Sequence, residues 1–228
     1  MRRATWAFLF AVLAACNGTG PGRALDEDDG GGGPPPPSAF ELVRPKQDGF
    51  GQVGTVAEYM PQPFVVRVMH NGSPVAGIVV TWVTNTPAAR VEPAALTTDL
   101  QGYSSAYFLA GTTAGSQGAQ AVLDEQELVF IVTANGADPA SMEAVAGPDS
   151  ARLGHWLIFR VAVFDIYGNR VTDVPVMWTL ASGDITTFAP EGTSAAILFS
   201  QTPGPVVVTA ALPGRPDIPS ITFQGRSF

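Results

Sequence analysis

The chain is poor in the residues that make chemistry easy to find. It holds one Cys in 228 residues, which excludes an intramolecular disulfide and a cysteine-based zinc site. It holds two His, His70 and His155, and neither stands in an HxxxH or HExxH context, so no metal is expected. Lys46 is its only lysine. With 12 basic against 20 acidic residues, a net charge of −8 and a pI near 4.6, it lacks the basic face of a nucleic-acid binder. Charged residues are only 14% while hydrophobic ones are 46%, so the body is not a disordered acidic chain. No GxSxG elbow is present and no Ser/His/Asp set stands out. The expectation is a protein that is not an enzyme, with no catalytic residue and no cofactor.

What is plentiful is Gly and Pro, 25 and 20 residues, a fifth of the chain. They argue against long helices and for short strands joined by turns. Before any strand comes an address. Met1-Arg2-Arg3 is followed by twelve apolar residues, Ala4 to Ala15. A membrane span needs about 20, so this run fits the h-region of a secretory signal peptide. It ends in Leu13-Ala14-Ala15-Cys16. This ending resembles the lipobox of bacterial lipoproteins. The resemblance implies that Cys16 becomes the first mature residue and that its thiol takes a diacylglyceryl group. The plainer alternative is an ordinary cleaved signal with a stray Cys. The position of Cys16, and the absence of any other Cys, outweigh it. Acyl chains contribute about 0.8 kcal/mol per buried CH₂, so two or three anchor stably. Asn17 stands where the resemblance would put Asp for inner-membrane retention, which points to the outer membrane.

Residues 1–15 are therefore read as a lipoprotein signal peptide and 16–38 as a tether. The tether has four consecutive acids, Asp26 to Asp29, then four Gly and four Pro. Flexible consecutive acids lack the preformed cage of a calcium site; they act as a solvated spacer, with a stiff polyproline step after it. Removal of Arg2 and Arg3 leaves 10 basic and 20 acidic residues, a net charge of −10. That suits a body held off an anionic membrane surface.

The remainder repeats. Phe64-x-Val66-x-Val68, the turn Asn71-Gly72-Ser73-Pro74 and Ile78-x-Val80-x-Trp82 form one pattern. Phe159-x-Val161-x-Val163, the turn at Asp165 to Asn169 and Val174-x-Val176-x-Trp178 repeat it at an offset of 95 to 96 residues. Alternation of this kind marks half-buried strands. Two units follow, 39–136 and 137–228, each the size of an immunoglobulin-like sandwich. The predicted fold class is all-β, two tandem Ig-like antiparallel sandwiches after a signal peptide and a disordered tether. The predicted core is Phe64, Val66, Val68, Val80 and Trp82 in the first unit and Phe159, Val161, Val163, Val176 and Trp178 in the second. Arg67, Thr81 and Arg160 should point outward. Without a disulfide, each Trp is expected to pack on aliphatic side chains alone.

At this point the first unit resembles the bacterial Ig-like domains of the invasin and intimin type (Big-1). The resemblance rests on Gly51-Gln52-x-Gly54-Thr55-Val56, Pro61-Gln62-Pro63-Phe64, Asn71 to Gly77, Val80-x-Trp82, Thr97-Thr98-Asp99-x-x-Gly102 and Gly111 to Gly115. The second unit matches through Asp165-x-Tyr167-Gly168-Asn169-x-Val171 and Val176-x-Trp178, then departs. Pro93 to Thr113 is 20 residues, but Pro190 to Thr202 is 12. A trimmed domain with a shortened hairpin is expected.

Other patterns have plainer explanations. Gly49 to Gly54 spells GxGxxG, but no helix follows it. Asp99, Asp165 and Asn169 carry oxygens that could ligate calcium; Asp and Asn also cap turns by bonding their own backbone, the preferred reading. Asn71-Gly72-Ser73 fits a hairpin turn better than a glycosylation triplet. Phe228 resembles the last residue of outer-membrane barrels, but a barrel needs at least eight strands of about ten residues. Tyr59, Tyr103, Phe108, Tyr167, Trp156 and Phe188 do not all fit inward positions.

The resemblances imply a lipid-anchored cell-envelope protein that presents Ig-like modules for structural spacing, adhesion or protein binding. With no distal head expected after the second unit, either that unit makes the contact or the chain serves as a short spacer or envelope component. The expected partners are the membrane through Cys16 and a surface protein or polysaccharide, with no nucleic acid and no nucleotide. The alternative is an envelope carbohydrate-binding module or an accessory subunit of a surface complex.

Overall fold

The computed structural model describes residues 40–95, 97–147, 150–182, 185–199 and 203–228. Cys16, the signal segment and the tether lie outside the described residues. Among the described residues every element is a strand. The first set is β1 (Glu41–Val43), β2 (Val53–Thr55), β3 (Phe64–His70), β4 (Ser73–Pro74), β5 (Thr81–Val83), β6 (Arg90–Pro93), β7 (Tyr103–Leu109), β8 (Gly115–Leu123) and β9 (Gln126–Asn135). The second is β10 (Pro139–Ala146), β11 (Ser150–Ala151), β12 (Trp156–Asp165), β13 (Met177–Ser182), β14 (Ile185–Glu191), β15 (Ser194–Phe199), β16 (Gly204–Ala211) and β17 (Ile221–Ser227).

The two sets share one topology. In the first, one sheet runs β1-β3-β7-β6, with β4 on β3, and the other runs β2-β9-β8-β5. In the second, the sheets run β10-β12-β15-β14 and β11-β17-β16-β13. Pairing is antiparallel except at one matched place in each, β2 with β9 and β11 with β17. This is the Ig-like arrangement of two packed sheets. The difference lies in one connection. Residues 94–102 join β6 to β7, but Glu191 pairs with Ser194 and only Gly192-Thr193 joins β14 to β15. The second sandwich has the shortened hairpin, and Gly192 takes the left-handed backbone its tight turn needs.

Local chemistry accounts for the strands. On β3, Phe64, Val66 and Val68 are fully buried, and Val65 and Arg67 between them are half-exposed. Asn71 and Gly72 both have positive φ, 51° and 75°, the requirement of a two-residue type I′ hairpin. They join His70 to Ser73. Strand β5 starts only at Thr81, so Ile78 is packed against the core from an irregular segment, while Val80 and Trp82 are buried. In the second sandwich Phe159, Val161, Val163 and Trp178 are buried, and Arg160 is exposed. Val174 and Val176 precede β13 and are half-buried against the core rather than enclosed by it. Val80 likewise precedes its strand but is buried, so the second sandwich covers this segment less completely than the first.

The Trp residues do not pack on aliphatic groups alone. Trp82 lies 5.6 Å from Phe130, Phe130 stacks at 4.7 Å on Phe64, and Phe64 lies 5.4 Å from Phe108. Trp178 stacks at 6.1 Å on Phe223, which lies 5.2 Å from Phe159. Both cores therefore repeat a Trp-Phe-Phe series that crosses from one sheet to the other. Offset and tilted ring pairs at these distances add to simple area burial. They link the two sheets without a disulfide.

Gly102 ends the Thr97 to Gly102 segment. Its φ is +77°, and a Cβ there would stand 2.6 Å from the Val68 carbonyl oxygen. Gly102→Ala is expected to cost about 1–3 kcal/mol from strain and this clash. Thermal melting reads the loss; an unchanged midpoint would refute the steric account.

Candidate functional site: the joint between the sandwiches

Strand β9 ends at Asn135 and β10 starts at Pro139, so three residues link the sandwiches. The turn after β12 closes over this link. Asp165 is buried, and its carboxylate accepts four hydrogen bonds. Oδ1 takes the backbone N–H groups of Tyr167 and Asn169, at 2.9 and 2.8 Å. Oδ2 takes the linker N–H of Ala137 at 2.9 Å and the Asn169 amide at 2.8 Å. The carboxylate thus organises its own turn and holds the linker.

Asn169 reaches across. Its Nδ2 donates to the Thr112 carbonyl at 2.8 Å, and its Oδ1 accepts from the Ala114 N–H at 2.8 Å. The receiving loop is held ready by Gln117, a buried amide on β8. Gln117 accepts from the Gly111 N–H at 2.7 Å and donates to the Thr113 carbonyl at 2.7 Å. Gly111 approaches Pro87 so closely that a Cβ would meet its carbonyl oxygen at 2.3 Å. The linker glycine, Gly136, passes beside Asp165 and Val171. Burial pushes the Asp165 carboxyl up, but its four N–H donors favour the charged form and hold it below the ordinary aspartate range.

The oxygens considered for calcium accept N–H donors instead. Asp165 and Asn169 spend their oxygens on N–H donors. The Asp99 Oδ1 accepts the N–H groups of Gln101 and Tyr103, at 2.9 and 2.8 Å, which makes it a turn cap. No group of three His, Cys, Asp or Glu able to hold a metal is found among the described residues. The Gly49 to Gly54 segment is a turn leading into β2, and a Cβ on Gly49 would strike the Pro63 carbonyl oxygen at 2.4 Å. Of the aromatics, Phe108 is buried and Phe188 packs against the second core. Tyr59, Tyr103, Trp156, Tyr167 and Phe228 are exposed on different elements. His70 closes β3 against the Phe40 ring at 5.3 Å, and His155 is exposed.

The sandwiches repeat their cores but not their surfaces. Across the outer face of β5, β8 and β9, one row reads Val83, Gln120, Val129. The matching row of β13, β16 and β17 reads Thr179, Thr209, Thr222. The two units thus offer different chemistry to whatever lies outside.

No family model matches the chain, and no curated protein matches it. Solved structures do. FdeC, an Escherichia coli adhesin, aligns with a TM-score of 0.55 and 17% identity, over 84% of this chain and 63% of that one. InvD of Yersinia pseudotuberculosis aligns with a TM-score of 0.49 and 16% identity, over 78% and 57%. Invasin, a bacterial integrin-binding protein, aligns with a TM-score of 0.34 and 19% identity, over 82% and 38%. The chain spans less than two thirds of the FdeC structure it resembles. At this identity the likeness to FdeC shows the fold alone, and that fold is Ig-like.

Proposed function

We propose that this chain is a lipid-anchored envelope protein that presents two Ig-like sandwiches, 39–136 and 137–228, as one spacing and adhesion unit. The observation that carries this reading is the joint. A three-residue linker, bonded to Asp165 and bridged by Asn169 to Thr112 and Ala114, suits a unit that must hold two modules in a set order. A catalytic protein would instead concentrate perturbed groups in a cleft. Here Asp165, held low by hydrogen bonds, serves the joint, and Asp217, held low by its hydrogen bond to Arg215, lies in an exposed ion pair. The Leu13-Ala14-Ala15-Cys16 ending and the acidic, Gly- and Pro-rich tether support attachment through a lipid on Cys16, with Asn17 favouring the outer membrane.

Fractionation of cells expressing the full chain tests the anchor. The native protein is expected in the membrane fraction, and Cys16→Ser is expected in the soluble fraction. If Cys16→Ser stays with the membrane, lipid anchoring is wrong. Protease treatment of intact cells then tells which side the sandwiches face.

A further inference from the structure

The first sandwich is acidic, with eight acids against four bases between residues 40 and 136. Three of those four bases, Arg44, Lys46 and Arg67, line one open groove of about 480 Å³ beside β1, β3 and β7. Val43, Met69 and Tyr103 give it apolar walls. Depressions of about 520 and 500 Å³ continue it, and Lys46, the only lysine of the chain, lines all three. Of the eight acids only two line this surface, Glu41 in the first depression and Asp48 in the last. Charge is thus segregated in a unit whose overall sign is negative.

The three cations are not equally committed. Arg44 pairs with Asp48, donates to the Val129 carbonyl and lies over the Phe130 ring at 4.5 Å. It is part of the seam between the sheets. Arg67 lies over the Tyr103 ring at 5.1 Å, and its Nε donates to the Gln101 carbonyl at 2.9 Å. That pins the guanidinium while its terminal nitrogens keep their donors for a ligand. Among the described residues, neither Arg67 nor Lys46 forms an ion pair. A pinned guanidinium and a free ammonium beside an aromatic ring and apolar walls fit an anion carried on a partly apolar body.

The shape of the edge decides between kinds of chain. An extended peptide would bind by adding a strand to β1. That edge is closed: the Leu42 N–H donates to Gln126 Oε1 at 3.0 Å, and the Gln126 amide donates back to the Phe40 carbonyl. A ligand here must lie across the sheet. Sugar rings can do so, with their C–H faces on Tyr103 and Met69, hydroxyls toward Gln47 and Gln62, and acid groups toward Lys46 and Arg67. We propose that this groove binds an anionic glycan, a saccharide chain bearing carboxylate, sulfate or phosphate groups. The proposal deepens the presentation reading by naming a partner class. Its test runs in solution, so a failure of lipid anchoring leaves it intact.

Calorimetry on the purified full chain carrying Cys16→Ser decides it, with polygalacturonate and heparin oligosaccharides as probes. Neutral dextran and polyglutamate of equal length are the comparisons. At least one anionic saccharide is expected to bind, more weakly as salt rises, and whichever binds identifies the favoured anion. Lys46→Glu is expected to weaken binding at least tenfold, and Arg67→Glu likewise. Arg90→Glu, an exposed cation away from the groove, should leave it unchanged. Should Arg67→Glu lower the melting point, the exposed Lys46→Glu decides alone. Binding of neither anionic saccharide overturns the proposal. So does binding untouched by Lys46→Glu, or a preference for polyglutamate, which would mark an acidic peptide as the ligand.

Discussion

Trp82→Ala should unfold the first sandwich and leave the second standing. Trp82 is buried, its ring meets Phe130, and its Nε1–H donates to the buried Ser104 hydroxyl at 3.0 Å. Truncation removes the end of the Trp82-Phe130-Phe64-Phe108 series, opens a cavity and strands the hydroxyl. Such changes cost about 3–5 kcal/mol, a large part of the 5–15 kcal/mol that a domain typically has. The second core shares none of these residues, since Trp178 has its own partners in Phe223 and the Gly192 carbonyl. Calorimetry of the variant is therefore expected to show one transition near the native temperature and one shifted far down. Trp82→Phe should recover part of the loss. A melt unchanged by Trp82→Ala would show that the ring is not part of the core.

Asp165→Asn should loosen the joint while keeping nearly the same volume. The carboxylate offers acceptors to four donors; an amide offers one oxygen and turns its NH₂ toward two N–H groups. Whichever side the NH₂ takes, two bonds to the turn or to the Ala137 link and Asn169 are lost. A hydrogen bond to a charged group is worth about 1.5–3 kcal/mol, so the loss of two is expected to cost the second sandwich at least about 2–3 kcal/mol. Limited proteolysis between residues 135 and 139 should quicken as well. Equal proteolysis of the variant and the native chain would show that Asp165 does not hold the link.

The same carboxylate sets a pH dependence. Its folded pKa lies below the unfolded one, near 3.9, so the folded state favours the charged form. Its contribution is fully present above the unfolded value and is lost as pH falls through the folded one. The joint should therefore hold at neutral pH and open only in acid below about pH 4, an effect absent from Asp165→Asn.

Much of this was legible in the chain itself. Alternation at Phe64, Val66 and Val68 and at Phe159, Val161 and Val163 places those side chains inward, because a strand repeats every two residues. Asn71-Gly72 announces its hairpin because few residues accept two positive φ values in a row. The missing residues between Pro190 and Thr202 show as the two-residue turn between β14 and β15. Other features leave no local mark. Val176 follows the alternation but is only half-buried, while Val80 at the matching place is enclosed, because burial depends on what distant segments pack over each position. Gln117 sits at an inward position where alternation expects an apolar residue. Its reason is the loop of residues 111–115, whose backbone groups it satisfies.

The sequence by itself determined the all-β class, the repeat and the inward-facing residues, because periodicity and turn chemistry act over a few residues. It also carries the Leu13-Ala14-Ala15-Cys16 ending, on which the proposed lipid anchor rests. Only the tertiary structure decided what Asp165 and Asn169 do. As a local pattern they cap a turn; once the chain has folded back, Asn169 meets Thr112 and Ala114, 57 and 55 residues away. It likewise gathered Arg44 and Lys46, from the loop after β1, and Arg67, from β3, around one groove. Hydrogen bonds and charge clusters of this kind depend on where strands distant in sequence are brought together, and no local pattern encodes that meeting.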